Sequence, residues 1–113
     1  MRKIKFRLWD KRRKVMDKTP QVYLALQTGR LWRFPEYEGY CEEDVTNKYI
    51  LMESTTLKDK TGVEIYEGDI LMSDTKMPCV VKWNGNGYSA GMFELYPEDY
   101  KIIGNIYENP ELL

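Results

Sequence analysis

The chain has no histidine and only two cysteines, Cys41 and Cys79, among its 113 residues. Without histidine it lacks the commonest metal ligand and the usual general base for a serine or cysteine nucleophile. The cysteines stand apart with no CxxC pair, so zinc-site and dithiol spacings are absent. Both are expected as buried, inert thiols and not as a disulfide. No apolar run approaches the roughly 20 residues that span a bilayer. The N-terminal MRKIKFRLWDKRRK is basic but has no apolar stretch of signal-peptide length. The glycine-rich segment NGNG, 84–87, lacks a GK[ST] ending and lies between strand-like runs, which excludes a phosphate-binding P-loop. These absences lead to the expectation of a soluble cytoplasmic protein with no cofactor, no metal and no membrane association.

What the chain does have is charge, sorted by position. Residues 1–35 hold eleven Lys or Arg against Asp10 and Asp17, a balance of +9. With −1 overall, residues 36–113 carry −10. Such asymmetry fits a nucleic-acid face, two halves of a fold that attract each other, or a basic end that docks on an acidic surface of another subunit. The two self-complementary readings are favoured, because a basic patch alone is non-specific.

The apolar pattern has the period of strands. In KIKFRLW, 3–9, Ile4, Phe6 and Leu8 alternate with Lys3, Lys5, Arg7 and Trp9, as in a half-buried strand with an outward cationic stripe. DKRRK, 10–14, reads as an exposed hairpin tip before a return strand at Val15. Further strands are read at 22–26, 31–34, 49–53, 63–66, 70–72, 79–83, 88–93 and 101–107. Gly29, Gly62 and Gly68 mark the turns, and NGNG forms a hairpin. Pro97 opens a single turn, and 36–48 reads as a loop or one short helix. The sum is one domain over 1–113, mainly β: a small SH3-like pseudo-barrel of short antiparallel strands with at most one or two short helices. Val80, Val81, Ile70, Ile103, Ile106, Ile65, Phe6 and Leu8 are expected to form much of one core.

Three segments, KFRLWD (5–10), LKDKTGVEIYEGDIL (57–71) and IIGNIYENPELL (102–113), resemble the YopX family of phage and prophage proteins. The resemblance implies a β-rich pseudo-barrel, a phage or prophage origin, and no established catalytic residues. One position departs: Thr56 stands where the family usually has the glycine of T-G-L-K-D-K. A β-branched residue disfavours positive φ, so the backbone at Thr56 is expected to be extended, or the turn shifted by one residue.

Two sets of residues are candidate sites. Asp59, Glu64, Glu67 and Asp69 surround two turns and would need convergent oxygens to bind a cation or hydrolyse a glycoside. Asp59 sits between Lys58 and Lys60, expected to neutralise it. Asp69 follows Gly68 and is expected to accept backbone N–H groups, so Asp59, Gly62, Gly68 and Asp69 read as structural turn residues. Glu64 and Glu67 read as solvated. The second set, Lys3, Lys5, Arg7, Trp9, Lys11, Arg12, Arg13 and Lys14, is a candidate partner face; the favoured structural reading is that the Trp9 ring folds over the barrel mouth while the lysines solubilise an edge strand. Tyr37, Tyr40, Tyr49, Tyr66, Trp83, Tyr88, Tyr96, Tyr100 and Tyr107 are assigned to core and rim packing, with a self-association or partner surface as the alternative. The expected function is non-enzymatic, through homo-oligomer assembly or association with another phage or host protein. The alternative is single-stranded nucleic-acid binding, with Trp9 stacking a base. A carboxylate-dependent hydrolase is the remote alternative.

Overall fold

The computed structural model describes residues 5–18, 22–25, 27–33, 43–73, 77–83, 87–90, 93–94 and 97–113. Lys3, Cys41, Tyr37, Tyr40, Tyr96 and most of NGNG therefore lie outside the described residues. The strands are β1 (Phe6–Asp10), β2 (Val15–Asp17), β3 (Tyr23–Ala25), β4 (Arg30–Arg33), β5 (Glu43–Asp44), β6 (Tyr49–Lys58), β7 (Glu64–Tyr66), β8 (Asp69–Met72), β9 (Pro78–Trp83), β10 (Tyr88–Ala90), β11 (Phe93–Glu94) and β12 (Lys101–Asn105). Helix among the described residues is limited to the 3-10 turns Thr46–Lys48, Pro97–Asp99 and Pro110–Leu112. The expected pseudo-barrel takes the form of a mainly β, curled half-barrel.

Three antiparallel sheets are built, ordered β2-β1-β6-β7, β11-β10-β9-β8-β12 and β3-β4-β5. β1 lies in the interior of its sheet, with Leu8 opposite Asp17 on one side and Leu51 on the other. Two apolar clusters replace the single core read from the sequence. One joins Leu8, Leu31 and Val45, with Phe6, Val22, Leu24, Tyr49 and Leu51 packed against it. The other joins Ile65, Leu71 and Val81, with Cys79, Tyr88, Tyr100 and Ile102 against it. Leu8, Ile65, Ile70 and Val81 of the expected core are buried, whereas Phe6, Val80, Ile103 and Ile106 are half-buried. The core divides because β3-β4-β5 covers the Leu8 face of β1, while β7 to β12 enclose a separate interior.

Turn chemistry ties these sheets together. Gly62 (φ +90°) and Gly68 (φ +84°) take the left-handed backbone that their turns require. At Gly68 a Cβ would also meet the Met52 sulfur at 3.2 Å. Asp59 is buried, and its partners are not the flanking lysines. Oδ1 accepts Thr61 N–H (2.9 Å), Thr61 O–H (2.7 Å) and Val63 N–H (3.0 Å), while Oδ2 accepts Ile102 N–H of β12 (3.0 Å). Burial pushes the Asp59 carboxyl up, but these donors outweigh it and hold the group at about 2.

Thr56 corrects the expectation from β-branching. It is left-handed, with φ +65°. Ser54 pairs with Tyr66 and Lys58 with Glu64, so three residues of β6 face one of β7 in a bulge. Local hydroxyls satisfy the displaced backbone. Thr56 N–H donates to Ser54 Oγ (2.9 Å), Leu57 N–H to Thr55 Oγ1 (3.1 Å), and the Thr55 hydroxyl to the Ile65 carbonyl (2.7 Å). The bulge fixes the angle, and the side chain tolerates it.

Candidate functional site: a basic cleft at the hairpin tip

The outward stripe expected along β1 does not form. Arg7 and Trp9 are both buried, because the second face of β1 is covered by two later turns. The Arg7 guanidinium donates to Asp69 Oδ1 (2.8 Å) and the Glu67 carbonyl (3.2 Å), and it lies 4.9 Å from the centre of the Tyr66 ring. Asp69 Oδ2 accepts the Tyr66 N–H (2.8 Å), the turn role read for it. Burial pushes the Asp69 carboxyl up, and the Arg7 charge pulls it back. Trp9 stacks on Tyr107 with ring centres 5.6 Å apart. Tyr107 is placed there by the buried Asn105, whose Oδ1 accepts the N–H groups of Tyr107 and Glu108. Lys5 remains exposed and pairs loosely with Glu64, at 3.5 Å.

The four acidic candidates are thus each engaged separately. Glu64 faces Lys5, Asp59 and Asp69 hold their turns, and Glu67 accepts the Glu53 N–H (3.1 Å) instead of standing free in solvent. Burial pushes the Glu67 carboxyl up. No group of three or more metal-ligating residues occurs among the described residues.

The tip itself behaves as read, and gains residues from elsewhere. After β1 the chain turns through Lys11 to Lys14, all exposed. Asp10 Oδ1 accepts the N–H groups of Arg12 and Arg13 (both 3.0 Å), and Lys14 closes the turn at φ +55° with its N–H on the Asp10 carbonyl (2.8 Å). This Asx-type cap aims the loop, since Asp10 spends its carboxylate on backbone donors. Beside it, Lys11 N–H bonds the Lys48 carbonyl (3.2 Å), which ties the Thr46–Lys48 turn to the hairpin. The result is a cleft of about 490 Å³ lined by Asp10, Lys11, Arg12, Arg13, Arg33, Asn47, Lys48 and Tyr49.

Five cations therefore meet in one cleft. Arg33 and Lys48 were not among the candidates, because they arrive from β4 and a 3-10 turn far along the chain. The available signal was the tract TNKY ahead of a strand, which places Lys48 beside whatever pairs with Tyr49. Arg33 donates to Glu43 Oε2 (3.0 Å) and Lys48 to Glu43 Oε1 (2.6 Å). Hydrogen bonds from Lys48 and Arg33 lower the Glu43 carboxyl. Its bond to Glu43 raises the Arg33 guanidinium, with burial opposing. Arg30 and Asp44 form a further pair next to these. Lys11, Arg12, Arg13 and Lys14 have no carboxylate in salt-bridge contact among the described residues. Among the described residues the charge segregation thus resolves into two parts: Lys5, Arg7, Arg30 and Arg33 meet acids from residues 43–69, and the tip does not.

The aromatic assignments follow the same separation. Tyr49, Tyr88 and Tyr100 pack on the apolar clusters, as read. Trp83 is exposed and meets Tyr88 edge-on. A shallower groove of about 290 Å³ runs between Met52, Val80, Trp83, Ile106 and Tyr107. Among the described residues no helix is long and apolar enough to cross a membrane.

Comparison with known proteins bears on the whole chain. A solved structure of protein EF1440 from Enterococcus faecalis is similar, with a TM-score of 0.71 and 27% identity, covering 100% of this chain and 99% of that one. Protein yopX from Bacillus subtilis shares the fold with a TM-score of 0.56 and 23% identity over 96% of each chain. No curated protein matches the chain. The family model described as YopX protein matches residues 5–113, and with KFRLWD, the two-turn segment and the Asn105 cap all in place, the chain belongs to the YopX family.

Proposed function

We propose that this is a non-enzymatic accessory protein of phage or prophage origin, acting in the host cytoplasm by docking its basic hairpin tip on an acidic protein surface. The observation that carries the reading is the cleft at Asp10–Tyr49. It gathers Lys11, Arg12, Arg13, Arg33 and Lys48, and among the described residues the tip cations make no salt bridge. A second copy of the chain is the nearest suitable surface, since Glu98, Asp99, Glu108 and Glu111 are exposed on its acidic half. The separate engagement of Asp59, Glu64, Glu67 and Asp69 supports a binding role over hydrolysis, which needs convergent carboxylates.

Single-stranded nucleic acid is the second reading, favoured by the same cations. It loses support from Trp9, whose ring is committed to Tyr107 and offers no stacking platform. The test is the mass in solution of wild type and of a variant with Lys11, Arg12, Arg13 and Lys14 all changed to Ser. Wild type is expected to self-associate at low salt and dissociate as salt is raised, and the variant to remain a single chain. A wild type of single-chain mass at every salt concentration, unaltered by the four substitutions, rules out the second-copy form.

A further inference from the structure

Glu43 lies at the start of β5 and does not line the cleft, yet it holds two residues that do. One carboxylate oxygen accepts Arg33 and the other accepts Lys48, at 3.0 and 2.6 Å. The carboxylate is 42% exposed, and the Arg33 and Lys48 side chains are 39% and 55% exposed. At these exposures the trio is only half-buried, so its contacts are exchangeable: solvent-exposed ion pairs are weak, and a second carboxylate competes on nearly equal terms. The trio also shows what the two cations accept, one carboxylate bridged between a guanidinium and an ammonium.

We propose that Glu43 is a built-in occupant of an anion seat formed by Arg33 and Lys48, and that an acidic side chain of the docking partner displaces it. The inference rests on the acidic-partner reading above and adds how that partner is selected. Lys11, Arg12 and Arg13 meet the partner's first carboxylates without competition. Arg33 and Lys48 become available only to a further carboxylate, held at high local concentration by the first contacts. A lone acidic residue is therefore bound weakly, and a contiguous acidic run recruits all five cations. The seat discriminates by making an internal ligand the competitor, a repulsive element against poor partners.

The test is fluorescence anisotropy of a labelled oligoglutamate peptide with wild type, Glu43→Gln and Asp44→Asn. Glu43→Gln should tighten binding about three- to tenfold, the range that two exposed ion pairs supply. Asp44→Asn removes the same charge one residue away and releases Arg30, which does not line the cleft; its amide oxygen can still accept the Thr46 N–H and hydroxyl that Asp44 Oδ1 accepts at the start of the Lys48 turn, so affinity should change by less than about twofold. Adding Lys48→Gln to the Glu43→Gln chain should return the affinity to the wild-type level or below. Equal tightening by Glu43→Gln and Asp44→Asn would reduce the effect to net charge and overturn the seat. No tightening in Glu43→Gln, with wild type still binding, would overturn it as well. If neither wild type nor Glu43→Gln binds the peptide, the acidic-partner reading fails first and the seat with it.

Discussion

Thr56 holds a left-handed backbone that costs an L-residue roughly 1–2 kcal/mol. Glycine there would remove that cost and give back about 0.4–1 kcal/mol through the freer unfolded chain. Thr56→Gly should therefore stabilise the protein by about 0.5–1 kcal/mol in urea unfolding, and an unchanged or lower midpoint would contradict the bulge. Arg7 makes the opposite case. Arg7→Met leaves Asp69 buried without its cation and should cost about 3–5 kcal/mol, whereas Lys5→Met, on an exposed pair, should cost under about 1 kcal/mol. Equal small losses in the two variants would place Arg7 back on the surface. At both positions the residue type misled. Alternation in KIKFRLW correctly put Leu8 inside, but a period of two says only that faces differ, not that the second face is wet. What covers it comes from Tyr66 to Asp69 and from Tyr107, about sixty and one hundred residues away.

The elements were legible where turns name themselves. The strands read at 49–53, 63–66, 70–72, 79–83 and 101–107, of which the last stops at Asn105, and the glycine turns at Gly62 and Gly68 follow from alternation and from residues that accept positive φ. The continuation of β6 to Lys58 was hidden, because STTLK carries no apolar alternation and is held by the hydroxyls of Ser54 and Thr55. β5 was hidden too, since two acidic residues pair only because Arg33 and Trp32 lie opposite. The C-terminal turn shows how tightly one element can depend on another. A Cβ at Gly104 would fall 2.5 Å from Asn109 Oδ1, which accepts the Asn105 N–H that orders the turn under Trp9. Gly104→Ala should cost about 1–3 kcal/mol by this overlap, and most of the loss should vanish in an Asn109→Gly background. A cost that persists there would locate the strain elsewhere in β12.

Across the whole molecule, charge falls into two groups. Arg7, Arg30 and Arg33 draw the acidic half of the chain onto the basic half, and among the described residues the hairpin tip makes no such pair, which is what the proposed docking uses. Half of the candidate site was readable as DKRRK, and the rest was not, because Arg33 and Lys48 reach the cleft only after β4, β5 and β6 assemble around β1. The most direct measurement is a pair of anisotropy titrations at physiological salt. One uses a labelled oligoglutamate peptide and the other a mixed-sequence single-stranded oligonucleotide. Wild type should bind the peptide, and the variant with Lys11, Arg12, Arg13 and Lys14 changed to Ser should not. The oligonucleotide should bind more weakly than micromolar, because the Trp9 ring, which as a stacking platform would supply about 1–3 kcal/mol per base, is committed to Tyr107. Micromolar or tighter oligonucleotide binding, with a salt slope that falls by about 0.7 for each cation removed and no binding of the peptide, would contradict the account.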